Sequence, residues 1–232
     1  MPKHMHRDVE NLQRSVLTMA GIVEEAIYSA IRALQERDAE AAQQVIDSDH
    51  EIDRLENRVQ EECLRVLALH APVAIDLRQI TTVLLITTDL ERMGDLAVGI
   101  AERAIILSRQ PMKGAPPRLA HMTERALNMV RKALDAFVHS DAAAARAVIR
   151  MDDEVDHDNA AILDAVTAQM KRMPDWVDAG MALFAAVRHV ERIADHATNI
   201  AEDVVYMVEG QMVRHQPEQP REIRKAALPQ TV

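Results

Sequence analysis

Apolar positions recur at steps of three and four along almost the whole chain, the pattern of helices with one buried face. From about Arg7 to Glu36, Val16, Met19, Ile22, Val23, Ala26, Ala30 and Ala33 mark a first helix. Arg37-Asp38 interrupts it, with Asp38 placed to cap the next helix. That second helix is predicted from Ala39 to about His70, on the stripe Val45, Ile52, Leu55, Val59 and Val66. Pro72 ends it, because proline clashes with a continuing helix. A third helix, from about Ile75 to Ser108, carries an almost strict heptad seam of Ile86, Leu90, Met93, Ala97, Ile100, Ala104 and Leu107. The stretch from Gln110 to Pro117, with Pro111, Gly114 and Pro116, reads as a linker. Three more helices are predicted after it, from about Arg118 to His139, Asp141 to Lys171 and about Val177 to Gly210. Gln211 to Val232 has no periodicity and is expected to be a flexible tail.

The second set of helices repeats the first. A shift of 103 residues carries Asp38, Ala39, Asp49 and Asp53 onto Asp141, Ala142, Asp152 and Asp156. A shift of 100 carries Glu91, Arg92, Asp95, Ala97, Ile100, Ala101 and Glu102 onto Glu191, Arg192, Asp195, Ala197, Ile200, Ala201 and Glu202. The difference of three residues falls in the hairpin between the second and third helices, where a change in length is tolerated. The expected fold is therefore all-α: two tandem antiparallel three-helix bundles, residues 7–110 and 117–210, followed by the tail 211–232.

Composition agrees and narrows the function classes. Glycine is scarce and aromatic residues make up only 2% of the chain, which favours helices and leaves little to stack on single-stranded nucleic acid. The formal charge is 27 − 37 = −10, which repels nucleic-acid backbones and suits cations or basic partner surfaces. The lone cysteine, Cys63, lies in an apolar run and reads as core. The polar N-terminus shows no signal-peptide pattern, and no apolar run reaches the ~20 residues of a membrane span. A cytoplasmic protein without membrane insertion is expected.

Candidate chemistry lies in the acids. Asp49/Asp53 and Glu91/Asp95 are each spaced i, i+4, which puts each pair on one helix face. Across an antiparallel hairpin, residues equidistant from the turn stand level. The midpoints of 49 with 95 and of 53 with 91 both fall at Pro72, and those of 152 with 195 and of 156 with 191 both fall beside Pro174. At about 100° per residue, Glu91, Asp95 and Glu102 share a face roughly opposite the heptad seam, so an outward or edge-on cluster is expected. One explanation is a solvated acidic face neutralised by Arg92 and Arg192. The other is a metal site, in which oxygen donors favour magnesium, calcium, manganese or iron, with zinc possible, and several carboxylates can build a multinuclear centre. The candidate ligands are Asp49, Asp53, Glu91, Asp95, Glu102, Asp152, Asp156, Glu191, Asp195 and Glu202. His189 and His196 could add nitrogen, although a supporting role for His196 stands equally open; His50 and His157 are weaker candidates. A P-loop, a dinucleotide fingerprint, a nucleophile elbow and a Glu-x-x-His di-iron motif are all missing from the sequence, which makes an enzyme the weaker class. The rival readings are a metal-dependent phosphohydrolase and a structural helical interaction protein.

The doubled Asp-x-x-x-Asp, with Glu91-Arg-Met-Gly-Asp95 and Glu191-Arg-Ile-Ala-Asp195, resembles the PhoU family of phosphate-regulatory proteins, as does Pro72-Val-Ala-Ile-Asp-Leu-Arg78. The resemblance covers roughly residues 7 to 210. It implies paired three-helix bundles with metal clusters held by these acids. It also implies a cytoplasmic regulator that associates with the ATPase subunit of the high-affinity phosphate transporter and with a phosphate-sensing histidine kinase, and that represses starvation genes when phosphate is plentiful. A homodimer is expected. The family's usual Gly-Asp-His-Ala-x-Asn is split here: the first half keeps Gly94 but has Leu96 and Gly99, and the second keeps His196 and Asn199 but has Ala194. The two sites are therefore expected to differ.

Overall fold

The computed structural model describes residues 3–110 and 116–213. The first half comprises α1 (Lys3–Glu36), α2 (Ala39–Ser48), α3 (His50–His70) and α4 (Ala74–Ser108). The second comprises α5 (Pro117–His139), α6 (Ala142–Ile149), α7 (Asp152–Arg172) and α8 (Val177–Glu209), with a short 3-10 turn at Pro174–Trp176 before α8. The expected linker falls partly on residues 111–115 and the expected tail largely on 214–232, both outside the described residues.

Local chemistry sets the breaks. Asp38 and Asp141 are matched N-caps: each side chain accepts hydrogen bonds from two backbone N–H groups of the following turn, at 2.9–3.0 Å. Arg37 and Ser140, which precede them, take left-handed backbone φ angles of 61° and 51°. The Arg37 guanidinium donates to the carbonyls of Leu107 (3.2 Å), Ser108 (3.1 Å) and Gln110, closing the C-terminal end of α4.

The continuous second helix expected from Ala39 to His70 is corrected: it is broken at Asp49, and its counterpart at Arg150–Met151. The Asp49 N–H reaches back only to the Ile46 carbonyl, at 3.4 Å, while the Ser48 hydroxyl donates to the Val45 carbonyl at 2.9 Å. Short polar side chains competing for the backbone loosen the helical ladder here without glycine or proline. Both α2 and α3 pack against α4. Gly94 permits that approach, since an added Cβ would stand 2.9 Å from Ile52 Cδ1 and 3.4 Å from Asp49 Oδ1.

The heptad seam of α4 is buried throughout. Its second apolar side is covered by α8. These two long helices run antiparallel: Arg78 Nε donates to the Met207 carbonyl at 2.9 Å, and His196 Nδ1 donates to Asp89 Oδ1 at 2.8 Å. Ala97, Ala101 and Ala104 of α4 and Ala186, Ala194, Ala197 and Ala201 of α8 are fully enclosed, and these small side chains let helices approach closely. On a neighbouring face α1 meets α5, where the Tyr28 hydroxyl donates to Glu124 at 2.9 Å and Arg131 pairs with Glu24 at 3.3 Å. The repeat is thus folded into one body around a central helix pair. Among the described residues no helix is long and apolar enough to cross a membrane.

Candidate functional site

The helix break puts Asp49 at the start of α3, and Asp152 is the first residue of α7. Each stands one turn before its partner, Asp53 or Asp156. Across the hairpin, α4 presents Glu91 and Asp95, and α8 presents Glu191 and Asp195. The predicted level pairing brings these acids within electrostatic reach in both halves. Burial raises the Asp49 carboxyl pKa, and the charges of Asp53 and Asp95 add to it. Burial and then Asp95 raise Glu91, with Arg92 opposing and Glu56 and Asp53 reinforcing. In the second half, burial and the charges of Asp156, Asp195, Glu191 and Asp153 push Asp152 up to about 6. Glu191 is raised by burial and by Asp195, and Asp195 by burial and by Asp156.

The aspartates sit outward or edge-on, with Asp53, Asp95, Asp156 and Asp195 exposed, while the glutamates lie deeper. Glu191 is only 9% exposed, and Glu91 is half-buried. The glutamates lie deeper because α4 and α8 are each covered both by the hairpin partner and by the other central helix. Glu191 Oε2 is enclosed without a hydrogen-bond partner among the described residues, and Glu91 Oε2, also enclosed, is met by the Arg92 guanidinium. Neutralisation differs between the halves. Arg92 spans its pair, with Nε 3.3 Å from Glu91 Oε2 and Nη1 3.0 Å from Asp95 Oδ2. Its counterpart Arg192 makes no ion pair among the described residues; instead Arg188, one turn earlier, holds Glu191 Oε1 at 2.6 Å.

Glu102 and Glu202 are not drawn into these sets. Each lies seven residues beyond its aspartate, about 10 Å along the helix. Glu102 sits 3.8 Å from Arg103 and acts on His189, and Glu202 is half-buried on α8. The histidines point elsewhere too. His50 Nδ1 is 2.7 Å from the Asp47 carbonyl, and His157 is exposed. His196 serves Asp89 of the other half, which also accepts from Asn199 Nδ2 at 3.5 Å. His189 lies against Gly99, where an added Cβ would meet its Nε2 at 2.8 Å. Both His189 nitrogens are buried without a partner among the described residues, and burial, Arg103 and Arg192 hold its pKa down.

That geometry gives a physical account of the split motif. By the shift of 100 residues, Asp89 corresponds to His189 and Gly99 to Asn199. One contact between the halves is therefore a hydrogen-bonded Asp89–His196–Asn199 set, and its counterpart is an imidazole seated on a glycine. Two participants escaped the sequence reading. Asp89 needed the pairing of α4 with α8. Glu56 was in principle readable: 56 and 88 share the midpoint 72, and Thr88 Oγ1 indeed stands 3.4 Å from Glu56 Oε1.

The donor chemistry suits a hard cation, since every side chain in the two sets offers oxygen and Glu191 Oε2 lacks a hydrogen bond among the described residues. Among the described residues, however, no group of three His, Cys, Asp or Glu side chains is gathered closely enough to enclose an ion. The backbones bring the acids level, and their mutual repulsion favours splayed side chains.

A PhoU domain is matched twice along the chain, over residues 16–104 and 119–204. The phosphate-specific transport system accessory protein PhoU homolog of Pseudomonas putida is 38% identical over 217 residues, covering 92% of this chain and 84% of that protein. Its namesake in Aquifex aeolicus is also 38% identical, over 91% of this chain and 96% of that one. Among solved structures, PhoU from Pseudomonas aeruginosa superposes with a TM-score of 0.81 at 37% identity, covering 89% of this chain and 99% of that chain. The phosphate transport system regulatory protein PhoU from Streptococcus pneumoniae gives a TM-score of 0.84 at 30% identity, covering 90% and 99%.

Proposed function

The chain belongs to the PhoU family, and from that premise we propose that it is a cytoplasmic, metal-binding accessory regulator of phosphate transport. The observation that carries this reading is the twice-matched PhoU domain, with carboxylates of successive helices acting on one another in both halves. In this reading the protein couples the transporter's ATPase subunit to the phosphate-sensing kinase and restrains starvation genes when phosphate is abundant. It works by docking rather than by turnover. A homodimer is part of the proposal.

Asp49, Asp53, Glu91 and Asp95 would hold cations in the first half, and Asp152, Asp156, Glu191 and Asp195 in the second. A bound cation would offset the burial and repulsion that raise these carboxyls and would supply a partner to Glu191 Oε2. The purely solvated acidic face is favoured by one feature, the Arg92 guanidinium lying across Glu91 and Asp95. It leaves the enclosed Glu191 Oε2, which has no hydrogen-bond partner among the described residues, without an explanation.

To test the regulatory reading, the gene is deleted in its host and a phosphate-starvation reporter is followed in high phosphate. Derepression is expected, and the wild-type gene should restore silence. A reporter that stays silent in the deletion strain contradicts the reading.

A further inference from the structure

We propose that the groove between α1 and α3 is the docking site of the chain's own basic, apolar segment 221–228, which sets its cations against Glu25 and Glu51. The inference goes beyond the regulatory reading and requires no bound metal.

The groove follows from what the first half lacks. The shift of 103 residues carries Ser15, Ile22 and Leu55 onto Arg118, Arg125 and Asp158. In the second half these three close the seam between α5 and α7. Arg118 Nε and Arg125 Nη1 each stand 3.0 Å from an oxygen of Asp158, and Arg125 Nη1 lies 3.6 Å from Glu154. Gly21 and Ser29 of α1 likewise take the places of Glu124 and Lys132. With short or apolar side chains at these positions, the α1–α3 seam stays open. One stretch of about 490 Å³ is floored by Gly94 and Val98 of α4, and a second of about 200 Å³ continues from Thr18 towards Leu55 and Val59. A Cβ added at Gly21 would meet nothing within 4 Å.

The second half also shows what fits. Glu154, which receives Arg125, corresponds to Glu51, and Ile22 offers Glu51 no such partner. Glu25 and Glu51 line the groove, are exposed and form no ion pair among the described residues. At the other end Arg14 and Arg58 are already paired, with Glu10 at 3.9 Å and Glu62 at 3.4 Å. A cation entering beside Glu51 takes up the role that Arg125 has in the other copy. Residues 221–228 supply Arg221, Arg224 and Lys225 against one acid, Glu222, within a chain of net charge −10. Ile223 and Ala226 between them suit the apolar floor.

The segment is also within reach. Just past α8, Gly210 is packed against the Arg78 guanidinium, near the start of α4. Asp8 and His70, 2.9 Å apart, mark the same end of α1 and α3. Ser15 is about 10 Å along α1 from Asp8. The eight residues from 213 to 221 span up to about 26 Å when extended, enough to round that end. From Ser15 to Arg32 α1 rises about 25 Å, a length that residues 221–228 match when extended. Tethering makes the contact intramolecular, so a weak groove is filled without a high intrinsic affinity.

The experiment places a nitroxide on Ala227→Cys in the full chain; native Cys63 is fully buried and escapes the reagent. Amide signals of Gly21, Ile22 and Ser29 should lose most of their intensity relative to the reduced label, and those of Glu124, Arg125 and Lys132 should keep theirs. Ile22→Arg, which gives the first half the residue that the second half has, should restore the lost signals. Arg224→Glu with Lys225→Glu should restore them too, with helicity by circular dichroism unchanged in both variants. In a mixture of ¹⁵N chains without label and spin-labelled chains without ¹⁵N, the ¹⁵N signals should stay intact. Sharp α1 signals in the spin-labelled chain, or loss that survives both variants, overturns the proposal. Loss in the mixture overturns it as well, because the occupant is then the segment of a second copy.

Discussion

In the first half one guanidinium, Arg92, lies across both acids of the α4 motif; in the second, Arg192 forms no ion pair with either acid among the described residues, and Arg188 holds Glu191. The contacts between the halves diverge as well. Asp89 receives His196 and Asn199, whereas His189 rests on Gly99 with no hydrogen bond among the described residues. A duplicated fold keeps its acids where the helix turns put them. The residues that neutralise or enclose those acids differ between the copies. Two copies of one motif are therefore two environments, and they should respond differently to the same perturbation.

The largest effects are expected where the halves meet. Gly99→Leu forces His189 out of its seat and should cost ~1–3 kcal/mol of stability by overpacking. Asp89→Ala removes the acceptor that both His196 and Asn199 use and should cost a similar ~1–3 kcal/mol, as buried donors lose their partner. Urea denaturation followed by circular dichroism checks both. Midpoints within error of wild type would mean that the paired contacts do not hold the halves together.

A smaller effect is expected from pH, and it should be strongest in the second half. Folding raises the Asp152 carboxyl from 3.8 to about 6, so the folded chain holds that proton more tightly than the unfolded chain does. The stability this gives is complete below pH 3.8 and is lost as pH rises through about 6. Asp49, Glu91, Glu191 and Asp195 are shifted in the same direction. In chelator, the urea midpoint should fall over this range, Asp152→Asn should flatten the fall, and a divalent cation should restore the midpoint at the upper end. A midpoint that rises with pH in chelator contradicts the repulsive pairing.

Much of this architecture could be read from residue order alone. The seam from Ile86 to Leu107 has the spacing of a buried helix face, and the shifts of 103 and 100 residues expose the duplication. The level of Asp49 with Asp95 follows from helical rise and the position of Pro72. What escaped depended on tertiary context. The break at Asp49 contains no glycine or proline, only a Ser48 hydroxyl bonded to the Val45 carbonyl. The burial of Glu191 depends on α8 being covered on two sides. The roles of Asp89, His189 and Gly99 exist only once α4 lies antiparallel to α8.

The most direct measurement is elemental analysis of the purified full chain after reconstitution with iron, manganese or zinc and removal of free ion. Wild type is compared with Asp95→Asn/Asp195→Asn. The wild-type protein should retain metal in both halves, and the double variant should retain almost none while keeping its helical content. Equal metal in the two proteins, or none in either, would contradict the assignment of these acids as metal ligands.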